Sequence, residues 1–196
     1  MLAPLVREGS RILAISGSLR HGSLNTRLLR EIAERAPAGV EIELFDGLRS
    51  IPPYDADADT EPAPEPIRAL RDAIAEADGL LFATPEYNSS IPGVLKNAID
   101  WASRPRATTP FQGKPAAVVG ATTGQFGAVW AQAELRKVLR STGARVVDLE
   151  LPVAKGHHAV AQRGALLDEV HGPRSAEILR ALVTEIQRDR ELALID

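Results

Sequence analysis

The chain has 196 residues, a formal net charge of −3 and no cysteine. This length can bury one sizeable hydrophobic core and favours a single domain over residues 1–196. The absence of cysteine excludes disulfides, thiolate chemistry and cysteine-based metal sites, and the scattered Lys and Arg residues argue against a nucleic-acid partner.

Strands and helices are predicted to alternate along the chain, without an internal repeat. Apolar runs predict strands near 11–16, 40–45, 79–84, 115–121 and 144–149. Apolar residues at helical spacing predict helices near 24–36, 65–77, 92–103, 127–142 and 173–189. This alternation predicts an α/β fold with a doubly wound, five-stranded parallel sheet between two helical layers.

The loop after the first strand has the composition of an anion site. Its small residues let backbone N–H groups approach a phosphate, and the helix that follows offers unpaired N–H groups. Ser23 or Asn25 could also serve as a helix N-cap, which is compatible with phosphate binding. The candidate phosphate-binding residues are Ser16, Ser18, Arg20, Ser23, Leu24, Asn25 and Thr26.

Two common nucleotide motifs are missing from this loop. Gly17 and Gly22 have the spacing of the first half of a Walker A loop, but Ser23 and Leu24 follow where Lys and Ser or Thr are required. No Gly-x-Gly-x-x-Gly occurs either. ATP hydrolysis and a dinucleotide site of the Rossmann type are therefore disfavoured.

The second connection, residues 46–66, is rich in Pro, Asp, Ala and Glu. This composition is typical of a solvated surface loop, and a pocket wall or a subunit contact is the alternative.

A polar turn follows the third strand at its carboxyl end, where open α/β sheets bind ligands. Its candidate residues are Pro85, Glu86, Tyr87, Asn88 and Ser89. Two alternatives stay open: Tyr87 could simply cover the top of the sheet, and the Glu86 carboxylate could point to solvent or to another subunit. On the next helix, Asn97 and Asp100 are expected to organise the helix or a subunit contact, and Trp101 to lie in the core or an interface.

The fourth strand leads into a glycine-rich loop, residues 120–127, with Thr122, Thr123 and Gly124 at its centre. Its glycines suit either a close approach to a flat ligand or a tight turn. Further along, the pair His157 and His158 is expected to lie in an exposed loop, because neither cysteine nor a third plausible metal ligand is nearby.

Together these segments resemble the flavodoxin-like NAD(P)H-dependent FMN reductases, which include quinone, azo-dye and chromate reductases. The resemblance is carried by Gly17-Ser18-Leu19-Arg20 with Ser23 and Asn25, by residues 51–57, by residues 84–104, and by Gly113-Lys114-Pro115 through about Leu139. It implies the flavodoxin strand order, which would bring the first loop beside the turn at 85–88. The segment after about Asp148 carries no recognisable resemblance.

The resemblance also implies how the site would work. FMN would place its phosphate in the first loop and its ring beside residues 85–89, with Thr122, Thr123 and Gly124 bordering it. NADPH or NADH would give a hydride to the flavin and be replaced by a small-molecule acceptor in a ping-pong cycle. The flavin carries the chemistry, so no side chain is nominated as catalytic and no metal is expected.

Relatives of this kind are commonly homo-oligomers, so a dimer or a tetramer is expected. One position departs from the family pattern: Trp130 stands where well-known relatives carry Arg, so an aromatic contact could replace a polar network between subunits. The chain lacks a signal-peptide pattern and any apolar run near the roughly 20 residues of a membrane helix, so a cytoplasmic protein without membrane insertion is expected.

Two other functions remain as alternatives. A one-electron carrier of the flavodoxin type would need a docking partner and is commonly strongly acidic, unlike this chain. A non-catalytic oligomeric scaffold that lost the cofactor is the second alternative.

Overall fold

A computed structural model describes residues 9–192 of the chain. Four parallel strands form most of one sheet: β1 (Ser10–Ser16), β2 (Val40–Phe45), β3 (Gly79–Ala83) and β4 (Pro115–Ala121). They are followed at one edge by β5 (Arg145–Val146), in the order β2-β1-β3-β4-β5. The predicted fold class and strand order are therefore confirmed. Because β1 and β3 are neighbours whose connections leave in opposite directions, the switch point lies between them.

Helices cover both faces of the sheet. They are α1 (Leu24–Glu34), α2 (Glu65–Glu76), α3 (Gly93–Ala102), α4 (Val129–Ser141), α5 (Gly156–Arg163) and α6 (His171–Leu192). Helices α2, α3 and α4 pack their apolar stripes against one face of the sheet, and α1, α5 and α6 pack against the other. The central strands β3 and β4 are buried along their whole length, as their continuous apolar runs predict.

The last predicted strand is divided into two pieces. Instead of one strand over 144–149, β5 ends at Val146 and β6 (Pro152–Val153) resumes the pairing with β4 at Gly120 and Ala121. The buried side chain of Gln132 fills the break, because its amide accepts from Leu151 N at 3.1 Å and donates to the Gly127 carbonyl at 2.9 Å. A side chain from α4 therefore provides a hydrogen-bond partner for the backbone just before β6.

The segment around His157 and His158 is helical, so the prediction of a loop was wrong. Both side chains are exposed on α5, which begins after Lys155 and ends before Gly164, two residues with positive φ. The much longer α6 packs Leu182 and Ile186 against the sheet. Within residues 9–192, no helix combines the length and apolar character needed to span a membrane.

The connection between β2 and α2 is anchored to the fold and is more than a solvated loop. The Asn97 side chain on α3 accepts from Tyr54 N and donates to the Pro52 carbonyl, both at 2.7 Å. Trp101 is fully buried, as expected, and donates from Nε1 to the same Pro52 carbonyl at 2.9 Å. The Tyr54 ring packs edge-on against Trp101. Asn97 therefore organises this connection from its place on the helix.

Candidate functional site

The first loop and the turn after β3 meet at the switch point. The Gly17 N–H donates to the Ala83 carbonyl at 2.8 Å, which joins the start of the loop to the end of β3. A Cβ atom at Gly17 would lie 2.9 Å from Leu95 Cδ2, so any side chain here would require Leu95 to shift. The topology thus brings together two polar segments that are far apart in sequence.

A cleft of about 90 Å³ opens where these segments meet the loop after β4. It is lined by Ser18, Arg20, Ser23, Leu24, Asn25, Pro85, Glu86, Tyr87, Ala121, Thr122 and Thr123. All three predicted segments contribute to it. The predicted residues that do not line it are Ser16, Thr26, Asn88, Ser89 and Gly124, and Ala121 is a lining residue that the sequence interpretation missed. The sequence could have indicated Ala121, because it is the last residue of the fourth strand and leads into the glycine-rich loop.

The loop end of this cleft has the donors that an anion requires. Ser23 caps α1 by accepting from Thr26 N at 3.1 Å. Within the described residues, the backbone N–H groups of Leu24 and Asn25 in the first turn have no protein acceptor. The Ser18 hydroxyl and the exposed Arg20 guanidinium stand beside them in the lining. Partnerless first-turn N–H groups beside a cation form a site that favours a phosphate or another anion.

Two of the predicted phosphate ligands brace the loop. Thr26 Oγ1 donates to Ser16 Oγ at 2.8 Å, and Ser16 Oγ also accepts from Ser18 N at 3.4 Å. The Asn25 side chain is 2% exposed and fully engaged: its Nδ2 donates to the Ala121 carbonyl and its Oδ1 accepts from Ala121 N, both at 2.9 Å. The Asn25 side-chain amide thus fastens α1 to the end of β4.

The turn after β3 has a left-handed backbone at its tip. Asn88 and Ser89 have φ values of 52° and 60°, the pattern of a type I′ turn. Backbone hydrogen bonds close it between Tyr87 and Ser90, at 3.0 and 3.1 Å. The Tyr87 side chain is 51% exposed, so the alternative in which it covers the top of the sheet was wrong. The turn instead presents Tyr87 to the cleft.

The loop after β4 closes the other side of the cleft and is supported from the following elements. Lys155 N donates to the Gly124 carbonyl and Gly156 N to the Thr122 carbonyl, each at 2.8 Å. At Gly127, φ is 61° and a Cβ atom would lie 2.4 Å from the Pro152 backbone, so this position requires glycine. The loop geometry therefore depends on β6 and the start of α5.

Aromatic side chains are exposed near the cleft. Phe126 and Trp130 are 61% and 48% exposed and pack edge-to-face, with ring centroids 5.0 Å apart. Trp130 lies one helical turn before Glu134, whose carboxylate accepts from Ser90 Oγ at 2.6 Å. This places Trp130 on the side of α4 that faces the turn.

Fold and site together define an α/β protein of the flavodoxin-like class, with an anion-binding loop and a turn for a flat ligand at the switch point. Comparisons with known proteins agree with this class. Residues 10–158 match the family model described as NADPH-dependent FMN reductase. The chain belongs to this family.

Individual relatives support the same assignment. The chain is 43% identical to the NAD(P)H-dependent FMN reductase PA1204 of Pseudomonas aeruginosa over 92% of this chain and 97% of that protein. It is 39% identical to a quinone reductase of Escherichia coli K12 over 72% of this chain and 75% of that protein. The solved structure of FerB, a flavoenzyme NAD(P)H:(acceptor) oxidoreductase from Paracoccus denitrificans, superposes with a TM-score of 0.79 at 36% identity, covering 91% of this chain and 98% of that one.

The predicted enzyme class and cofactors are confirmed at the level of the family, which is one of oxidoreductases that use FMN and NAD(P)H. The donors that line the cleft fit FMN. The N–H groups and the cation at the loop end of the cleft suit the phosphate, and the backbone of the turn at the other end of the cleft suits the flat ring.

Proposed function

We propose that this chain is an NAD(P)H-dependent quinone reductase that holds FMN across the switch point. The observation that carries the proposal is the meeting of an anion-type loop and an exposed turn in one cleft. The names of the relatives, FMN reductase and quinone reductase, support it.

In this proposal the loop end of the cleft binds the phosphate. The N–H groups of Leu24 and Asn25, the Ser18 hydroxyl and the Arg20 guanidinium are the donors. Ser23 holds the start of α1, while Ser16 and Thr26 fix the loop from behind. The Asn25 side chain contributes by anchoring the helix to β4.

The turn at Pro85–Ser89 and the loop at Thr122–Gly124 would flank the ring from opposite sides. The cleft volume of about 90 Å³ is far below the roughly 300 Å³ of a typical enclosed ligand pocket, so a bound flavin would extend out of it. When bound, FMN supplies two-electron hydride transfer from NAD(P)H to an acceptor. The protein residues bind and orient it and leave one face accessible.

One accessible face implies that NAD(P)H and the acceptor occupy the same place in turn, which is a ping-pong order. Quinones are the favoured acceptors because several relatives carry that name. Azo dyes, chromate and free flavin would also be reduced where their potential and fit permit.

The test is anaerobic absorbance spectroscopy of the protein saturated with FMN. Addition of NADPH or NADH should remove the flavin absorbance band, and a benzoquinone should restore it. Initial rates at several fixed quinone concentrations should give parallel double-reciprocal lines. A bound flavin that neither nicotinamide can reduce would instead favour an electron carrier, and failure to bind FMN would favour a scaffold.

We also propose that the chain forms a homodimer or a homotetramer. The support is a set of exposed apolar side chains: Tyr87 in the cleft lining, and the edge-to-face pair Phe126 and Trp130 at the loop after β4 and the start of α4. Such a surface at the mouth of an open site suits a second copy of the chain.

A further inference from the structure

The start of α4 lacks a cap of its own. Its N-cap residue, Ala128, has φ 63° and ψ 33° and a methyl group that can accept no hydrogen bond. The first-turn N–H groups of a helix need acceptors from outside the helix ladder, and an N-cap side chain usually provides one to the second or third residue.

The missing acceptor comes from the turn after β3. Glu86 Oε2 accepts from the N–H of Ala131, the third residue of α4, at 3.1 Å. A carboxylate is also the side chain that the helix dipole favours at this end. The same turn makes a second contact with the helix, because Ser90 Oγ donates to Glu134 Oε2 at 2.6 Å.

These two contacts hold a turn whose backbone needs support. Asn88 and Ser89 both lie in the left-handed region, which asparagine adopts readily but which costs a serine roughly 1 kcal/mol. Such a conformation persists when its surroundings fix it. Glu86 and Ser90 flank these two residues and attach both sides of the turn to α4.

We infer that Glu86 is a positioning residue: by capping α4 from outside the helix, its carboxylate holds the 86–90 turn in the shape that receives the flavin ring. The effect on the flavin rests on the proposed function. The capping contact itself does not, so the two are tested separately.

The first measurement is amide hydrogen exchange by NMR in the protein without FMN. In Glu86→Ala the Ala131 amide should exchange at least tenfold faster, and the Tyr87 and Ser90 amides should follow. Glu86→Gln keeps an acceptor oxygen and should restore most of the protection. Ser90→Ala should accelerate the turn amides and leave Ala131 protected, so the proposal stays testable if Glu86→Ala does not fold.

The second measurement is FMN titration of the same variants. Loss of a cap worth about 1 kcal/mol corresponds to about fivefold weaker FMN binding in Glu86→Ala, with Glu86→Gln close to the wild type. The matched control is Asp168→Ala, which removes a carboxylate from the start of α6. It should destabilise the fold without changing FMN affinity.

The outcomes separate the claims. Unchanged exchange at Ala131 in Glu86→Ala would overturn the capping role. Faster exchange at Ala131 without faster exchange in the turn, or with unchanged FMN affinity, would overturn the positioning role. If the wild type binds no FMN, the proposed function fails, and exchange at Ala131, Tyr87 and Ser90 still decides whether Glu86 holds the turn.

Discussion

Arg20 is the residue on which phosphate binding should depend through charge. Its guanidinium is exposed in the cleft lining and pairs with no carboxylate in the part of the chain that the structure describes. Arg20→Ala should weaken FMN binding about tenfold, because a charge-assisted hydrogen bond is lost, and should leave the free energy of unfolding within about 0.5 kcal/mol. The measurement is fluorescence titration of FMN at low and high salt, and the effect should shrink as salt rises.

The control for Arg20 is Arg30→Ala, which removes an exposed arginine further along α1. It should leave FMN affinity unchanged at both salt concentrations. Equal FMN affinities of Arg20→Ala and the wild type would contradict a phosphate-binding role for Arg20.

Asn25 should matter for stability more than for direct ligand contact. Asn25→Ala would leave both the N–H and the carbonyl of buried Ala121 without their partner, at about 1–3 kcal/mol for each group. We therefore expect a loss of about 2–6 kcal/mol in the free energy of unfolding, measured with urea. Asn25→Asp, which keeps the shape but loses the donor to the Ala121 carbonyl, should also destabilise. A loss below about 1 kcal/mol in Asn25→Ala would show that this contact is not structural.

At the scale of elements, the sequence predicted what depends on local apolar patterns. The buried runs of β3 and β4 and the apolar stripe of α1 are such patterns, and the corresponding elements lie where predicted. The split between β5 and β6 was not predicted, because the backbone before β6 is bonded by Gln132, a polar side chain from another element that no local pattern indicates. Helix α5 was missed because it has few apolar residues.

The same limit applies to the site. The sequence predicted that the three loops lie at strand ends, but it did not predict where individual side chains point. Ser16 and Thr26 have the same hydroxyl chemistry as Ser18, yet they face each other behind the loop while Ser18 lines the cleft. The capping of α4 by Glu86 joins residues 45 positions apart, and no local pattern indicates it.

The Asp168 carboxyl at the start of α6 should make the free energy of unfolding depend on pH in the acid range. The backbone N–H groups of His171 and Val170 donate to Asp168 and hold the pKa of its carboxyl at about 2, below the ordinary 3.8 and despite the opposing effect of burial. A carboxyl whose pKa is lowered by folding stabilises the fold above its unfolded pKa. This contribution should be lost as pH falls from about 4 to about 2.

The variant that isolates this contribution is Asp168→Asn, which keeps a neutral acceptor at the helix start. Between pH 5 and 7 it should be less stable than the wild type by roughly 0.5–1 kcal/mol, because the charge that favours a helix N-terminus is gone. Urea unfolding across pH 2–7 should show this difference shrinking below about pH 4. A difference that stays constant with pH would contradict the role of the charge.

For the molecule as a whole, residues beyond the matched family segment support the site from outside. The chain after residue 158 packs on α1, where the buried Glu31 carboxylate accepts from Leu166 N and Leu167 N at 2.9 Å. Burial alone would raise the pKa of Glu31, but these N–H groups and Arg27 lower it below its usual value. The carboxylate is therefore charged at neutral pH, and it connects the last third of the chain to the helix whose first turn faces the cleft.

Self-association is the property that the exposed aromatic pair should control. The interface residues whose truncation costs about 2 kcal/mol or more are enriched in aromatic side chains, tryptophan among them. The double variant Phe126→Ser with Trp130→Ser should therefore raise the dissociation constant of the homo-oligomer at least tenfold in analytical ultracentrifugation. The control is Val170→Ser, which removes a 74% exposed apolar side chain next to α6 that does not line the cleft. It should associate like the wild type.

A wild type that is monomeric at micromolar concentration, or a double variant that associates as tightly as the wild type, would refute the proposed interface. If a second copy also completes the open cleft, FMN affinity should fall in the double variant at concentrations where it dissociates, and the Val170→Ser protein should keep its affinity there.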